Sequence, residues 1–152
     1  MLDFATVERP GLGRYLGCLV YESLLVLAWV FILATLFLPI DAWLNPAQPK
    51  AQLHIPSELS RNLQLIWSWV GVMAYFVFFW VRKGQTLAMK TWKIRLVSLD
   101  GSSVRPLQAV VRFCVVCMGL PLFGLVWLWA FGSPRRLFLH DQLSKTVLIR
   151  LP

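Results

Sequence analysis

From Leu16 to Leu38 the chain runs for 23 residues with one charge, Glu22, nearly two helical turns inside the run. At 1.5 Å of rise per residue, a helix of that length crosses a hydrocarbon core of ~30 Å with some tilt. A second run, LQLIWSWVGVMAYFVFFWV at 63–81, carries no charge at all. Hydrophobic residues make up 58% of the 152 and charged ones 14%, too little polar surface for a soluble domain of this size. Because the apolar residues are gathered in bilayer-length stretches, the chain reads as an integral membrane protein with one domain over 1–152. A lone charge at membrane depth costs ~2.5–3.5 kcal/mol or more. Glu22 therefore needs either a buried partner or a task.

Between the two runs, 39–62 is predicted to be a loop broken by Pro39, Pro46, Pro49 and Pro56. Trp67, Trp69 and Trp80 lie near the ends of the second span, where indoles prefer the interface. A basic loop, 82–106, follows. Within it WKIRLVSLDG alternates apolar and polar residues and closes on Asp100-Gly101, a turn signal. The closing KTVLIRLP offers a second short run of strand formers. The two segments are expected to pair as a small cytoplasmic sheet; a surface-lying amphipathic helix from Thr86 is the competing reading.

The third apolar region, 107–131, has two readings. Straight through, it spans once and places the basic tail outside. GLPLFG at 119–124 breaks it, however, and two helices of 10 to 12 residues folded as a hairpin return the tail, 132–152, to the cytoplasm. The charge of the tail favours the hairpin. SPRRLFLHDQLSKT is predicted to open a further helix, with Ser133 as cap, Pro134 at its first position, and His140 and Asp141 within it. The expected fold is an all-α membrane protein. It has two transmembrane helices, 16–38 and 63–81, then a proline-broken hairpin or a third and fourth helix, with a small β-pair.

The net charge of +8 is unevenly placed: ten Lys and Arg lie in 82–106 and 132–152, against two in 39–62. Basic residues crowd into cytoplasmic loops, so both termini are expected in the cytoplasm and 39–62 in the periplasm. Membrane lipids, through their anionic headgroups, are the partners this charge suits. No nucleic-acid-reading module accompanies it, and no nucleic acid is expected to bind. Cys18, Cys114 and Cys117 form no disulfide framework and read as packing residues inside helices. LGC at 16–18 lacks the preceding hydrophobic region of a cleavage site, so the first span is read as retained. His140 has only His54 as a fellow histidine, on the opposite side, so no metal is expected. With no nucleophile–base pair, phosphate loop or carboxylate dyad, the chain is not expected to be an enzyme or to need a cofactor.

Four charged residues form the candidate cluster: Arg14, Glu22, Arg112 and Asp141. Arg14 and Glu22 are ~12 Å of rise and roughly 80° apart on one helix, too far to pair, so Arg14 is assigned to the headgroup boundary. Arg112 is the other charge inside an apolar segment. Entering from the same side, Glu22 lies six residues past Leu16 and Arg112 five past Leu107, so their depths match. One reading is a Glu22–Arg112 ion pair locking the first helix to the third. The other is a protonatable carboxylate on an ion route. Asp141 reads either as a surface carboxylate beside Arg14 or Lys145 or as a member of the cluster.

The order of these features resembles the RDD family of bacterial membrane proteins over about residues 9 to 150. The resemblance rests on Arg14 at the start of the first helix, an acid within it, GQTLAMK…WKIRLV after the second, and SPRRLFLHDQLSKTV near the end. Arg14 matches the arginine of the family's name and Asp141 one of its aspartates. Glu22 stands where the first-helix aspartate is usual, Ala88 where a glycine follows GQTL, and the basic residue falls at Lys90. The resemblance implies a bacterial inner-membrane, multi-pass protein taking part in transport of a small solute or cation, with cation/proton antiport in some members. Other members act as parts of larger assemblies, so an accessory or assembly subunit of a larger complex is the alternative. Two spans and a hairpin are too few to enclose a pathway, so transport implies a homo-oligomer or larger complex.

Overall fold

The computed structural model describes residues 10–45, 57–119 and 139–151. Two long helices dominate: α1, Leu12–Leu44, and α2, Glu58–Lys83. Both are long and apolar enough to cross a membrane. Then come α3, Leu87–Thr91; β1, Ile94–Ser98; α4, Pro106–Gly119; α5, Leu139–Ser144; and β2, Thr146–Arg150. The described chain divides into two compact units, 23–74 and the remainder.

In the unit spanning 23–74, α1 and α2 run antiparallel and exchange indole hydrogen bonds. Trp29 Nε1 donates to the Gly71 carbonyl at 3.1 Å, and Trp67 Nε1 to the Leu33 carbonyl at 3.2 Å. Trp67 is thus spent between helices rather than reserved for the interface. The outward face, with Leu24, Phe31, Leu36 and Ile66, is exposed, as a lipid-facing surface must be. The expectation that the first helix stops before Pro39 is corrected: α1 continues to Leu44 with Pro39 inside it. Proline forfeits the bond its N–H would give to the Thr35 carbonyl. The turn beyond it is anchored by Asp41, whose carboxylate accepts from Ser60 Oγ on α2 and from Asn45 Nδ2 at 2.9 Å. Asp41 is only 6% exposed, although the sequence pattern placed it in a loop.

Each boundary of α2 has a local cause. Ser57 caps its start, accepting the Ser60 amide at 3.2 Å, and Glu58 suits the positive end of the helix. Gly84, with φ of +66°, stops it by giving its amide to the Trp80 carbonyl at 3.0 Å.

The second unit carries the sheet. β1 and β2 pair antiparallel with Ile94 opposite Arg150, Leu96 opposite Leu148 and Ser98 opposite Thr146. The alternation seen in WKIRLVSLDG is that of a strand with one buried face: Ile94, Leu96 and Ser98 are buried and Arg95 is exposed. The sheet reading holds; in place of the competing surface-lying helix there is only a five-residue helix after Thr86, with Ala88 and Met89 buried, and the strand follows. The free edge of β1 is covered by the α2–α3 connection, with the Leu96 amide on the Gly84 carbonyl at 2.7 Å and Gln85 Nε2 on the Ile94 carbonyl at 2.8 Å. Asp100 closes the turn after β1 by accepting from the Ser102 hydroxyl and amide, bonds that hold its carboxyl down to about 2. α4 starts with Pro106 at its first position and with Gln108 Oε1 reaching back to the Arg105 amide at 3.0 Å. It covers the first half of the third apolar region. The predicted hairpin beyond it, and the Ser133–Pro134 helix start, lie outside the described residues. Cys114 and Cys117 are free thiols, half-buried on α4.

Candidate functional site

Glu22 lies in α1 and is 8% exposed. Its two carboxylate oxygens accept from two hydroxyls: Oε1 from Tyr75 of α2 at 3.2 Å, and Oε2 from Thr86, the cap of α3. Cys18, one turn earlier on α1, is buried beside it. Among the described residues no basic side chain forms an ion pair with Glu22. Carboxylate and hydroxyl oxygens are the donor set of a proton or a hard monovalent cation.

Arg112 is 3% exposed and is committed elsewhere. Its Nη1 donates to Asp141 Oδ1 at 2.6 Å and to Thr146 Oγ1 at 2.9 Å, while the Ser144 and Thr146 hydroxyls are 2.6 Å apart. The guanidinium also stands 5.9 Å from the centre of the Trp80 ring, a cation–π contact. Trp80 is buried, its ring tilted against that of Phe76 with centroids 5.0 Å apart, and not an interfacial indole. A buried guanidinium needs an opposite charge and further acceptors, and α5 with β2 supplies all of them within six residues of chain.

The expected Glu22–Arg112 lock is therefore corrected. Matching depth along two helices says nothing about azimuth, nor about a third element closer to one of the two. Of the two readings of Asp141, only the surface one is corrected. Asp141 is 4% exposed and bonded to Arg112, not a surface carboxylate beside Arg14 or Lys145. Arg14 is half-buried on the first turn of α1, and among the described residues no ion pair or hydrogen bond joins it to either group. Its neighbour Tyr15 is close enough to feel both Arg112 and Asp141. The four candidates thus fall into a carboxylate held by hydroxyls, an ion pair, and a separate arginine.

Sequence reasoning missed Tyr75, Thr86 and Thr146. The signal available was a hydroxyl inside or just past an apolar run, a weak one because hydroxyls also bond their own helix, as Thr35 does to the Phe31 carbonyl at 2.9 Å.

Two helices of bilayer length with large apolar side chains exposed along them are those of a membrane protein. The RDD family model matches residues 9–145, and the chain belongs to the RDD family. No curated protein and no solved structure shows a match to it.

Proposed function

We propose that the chain is a multi-pass protein of the bacterial inner membrane that takes part in proton-coupled transport of a small solute or cation. In this reading it works as a homo-oligomer or within a larger complex, with Glu22 the group that exchanges its ion. One observation carries the reading: the intramembrane carboxylate is held by the neutral hydroxyls of Tyr75 and Thr86, not by Arg112. A carboxylate neutralised by a buried arginine is locked, whereas one held by hydroxyls is open to a proton or cation. The Arg112–Asp141 pair then has a structural task, fixing α5 and β2 to α4.

A second reading, an accessory subunit without transport of its own, draws on the large aromatic side chains left exposed on both long helices, among them Phe31, Trp43, Trp69 and Phe78. Flux in proteoliposomes separates the two. Under an imposed pH gradient the wild type should carry pH-dependent flux, and folded Glu22→Gln protein should lose it. Intact flux in Glu22→Gln removes the carboxylate from the route, and absent flux in the wild type under several cations favours the accessory subunit.

A further inference from the structure

One of the two hydroxyls that hold Glu22 also receives a backbone amide from the first turn of α3. The Met89 amide donates to Thr86 Oγ1 at 3.3 Å. Amides of a first turn have no partner within their own helix. Here one of them is tied, through the Thr86 hydroxyl, to one oxygen of the Glu22 carboxylate, whose other oxygen is held by Tyr75. The direction of these bonds matters. A hydroxyl has one proton and two lone pairs, and an ionised carboxylate only accepts. Both hydroxyl protons therefore point at Glu22, and a lone pair of Thr86 turns to the Met89 amide.

A proton on Glu22 turns one of these oxygens into a donor, and a cation competes for its lone pairs, so the hydrogen bond from one hydroxyl is weakened or turned away. Thr86 is 1% exposed, so water does not stand ready to replace it. Resting on the reading of Glu22 as the ion-exchanging group, we propose that residues 86–92 are a latch on that site: the ionised carboxylate holds it shut and a proton or small cation releases it. Thr86 and Tyr75 are its positioning residues.

The far end of the latch also meets α1. Trp92 lies so close to Gly17 that a Cβ there would sit 2.5 Å from the indole ring. Gly17 precedes Glu22 by five residues, so both ends of the segment close on the same stretch of α1. Between them the Lys90 amide bonds the Thr86 carbonyl at 3.0 Å and the Trp92 amide the Ala88 carbonyl at 3.1 Å, which makes the segment one unit. The titratable groups facing Glu22 are Cys18 on α1 and Tyr75 on α2, both ordinarily neutral at neutral pH, while Lys90 on α3 and Arg95 on β1 are exposed.

Hydrogen exchange on the full-length protein in lipid nanodiscs, at one pH, tests this. Glu22→Gln should speed exchange of the amides of residues 87–93 by about tenfold, the effect of losing a hydrogen bond to a charged group, and leave β1, β2 and α4 unchanged. Thr86→Val should do the same, and Thr86→Ser should keep the wild-type rates. Wild-type protection of 87–93 in Glu22→Gln overturns the latch, and so does fast exchange in Thr86→Ser with the sheet intact. Flux measured on the same proteins keeps the two ideas apart. Lost flux with unchanged exchange in Glu22→Gln leaves the transport reading standing and removes the latch. Opened exchange with no wild-type flux does the reverse.

Discussion

At the scale of single residues, the site is decided by which acceptors reach a buried charge first. Arg112 takes Asp141 and Thr146, leaving Glu22 to hydroxyls. Removing either member of the buried pair strands the other, a loss of about 3–5 kcal/mol. Arg112→Ala and Asp141→Ala should each lower the folded yield and the melting temperature, and replacing both with leucine should recover most of the loss. The Glu22→Gln and Arg112→Ala effects should simply add, because the two residues are not partners. A double replacement no better than the worse single one contradicts the pairing. The charged residues themselves were legible, since ionisable groups inside apolar runs are conspicuous. Their partners were not, because pairing depends on the azimuth of each helix and on α5, which arrives from far along the chain.

At the scale of elements, hydrophobic length and alternation carry most of the information. Both strands stand where their patterns put them, both long helices run past the ends expected for them, and the surface-lying helix from Thr86 is reduced to the five residues of α3. Pro39 misled, since a proline ends a helix only when nothing beyond it is anchored, and Asp41 with Ser60 supplies the anchor. The junction between α2 and β1 rests on Gly84, whose φ of +66° is strained for any other residue and whose added Cβ would lie 2.8 Å from the Leu96 carbonyl. Gly84→Ala should cost about 1–3 kcal/mol, read as a lowered melting temperature in detergent. Gly13→Ala, inside α1 with nothing within 4 Å of its added Cβ, should leave it unchanged or higher. Equal effects from the two would remove the backbone argument.

At the scale of the whole molecule, charge asymmetry sets the orientation in the proposed account: the basic unit with the sheet faces the cytoplasm and the link between α1 and α2 the periplasm. Single cysteines at the exposed Ser57 and Ser103, in a background without the native thiols, should label from opposite sides. Labelling of both from one side contradicts the orientation. Within that frame the central claim is that Glu22 exchanges its proton in the folded membrane protein. Infrared difference spectroscopy during a pH titration of the protein in lipid tests it most directly. The account predicts a carboxylic-acid band that grows as the pH falls, shrinks when a transported cation is added at fixed pH, and is missing in Glu22→Gln. A Glu22 that keeps one protonation state throughout, with spectra of wild type and Glu22→Gln that titrate alike, would contradict it.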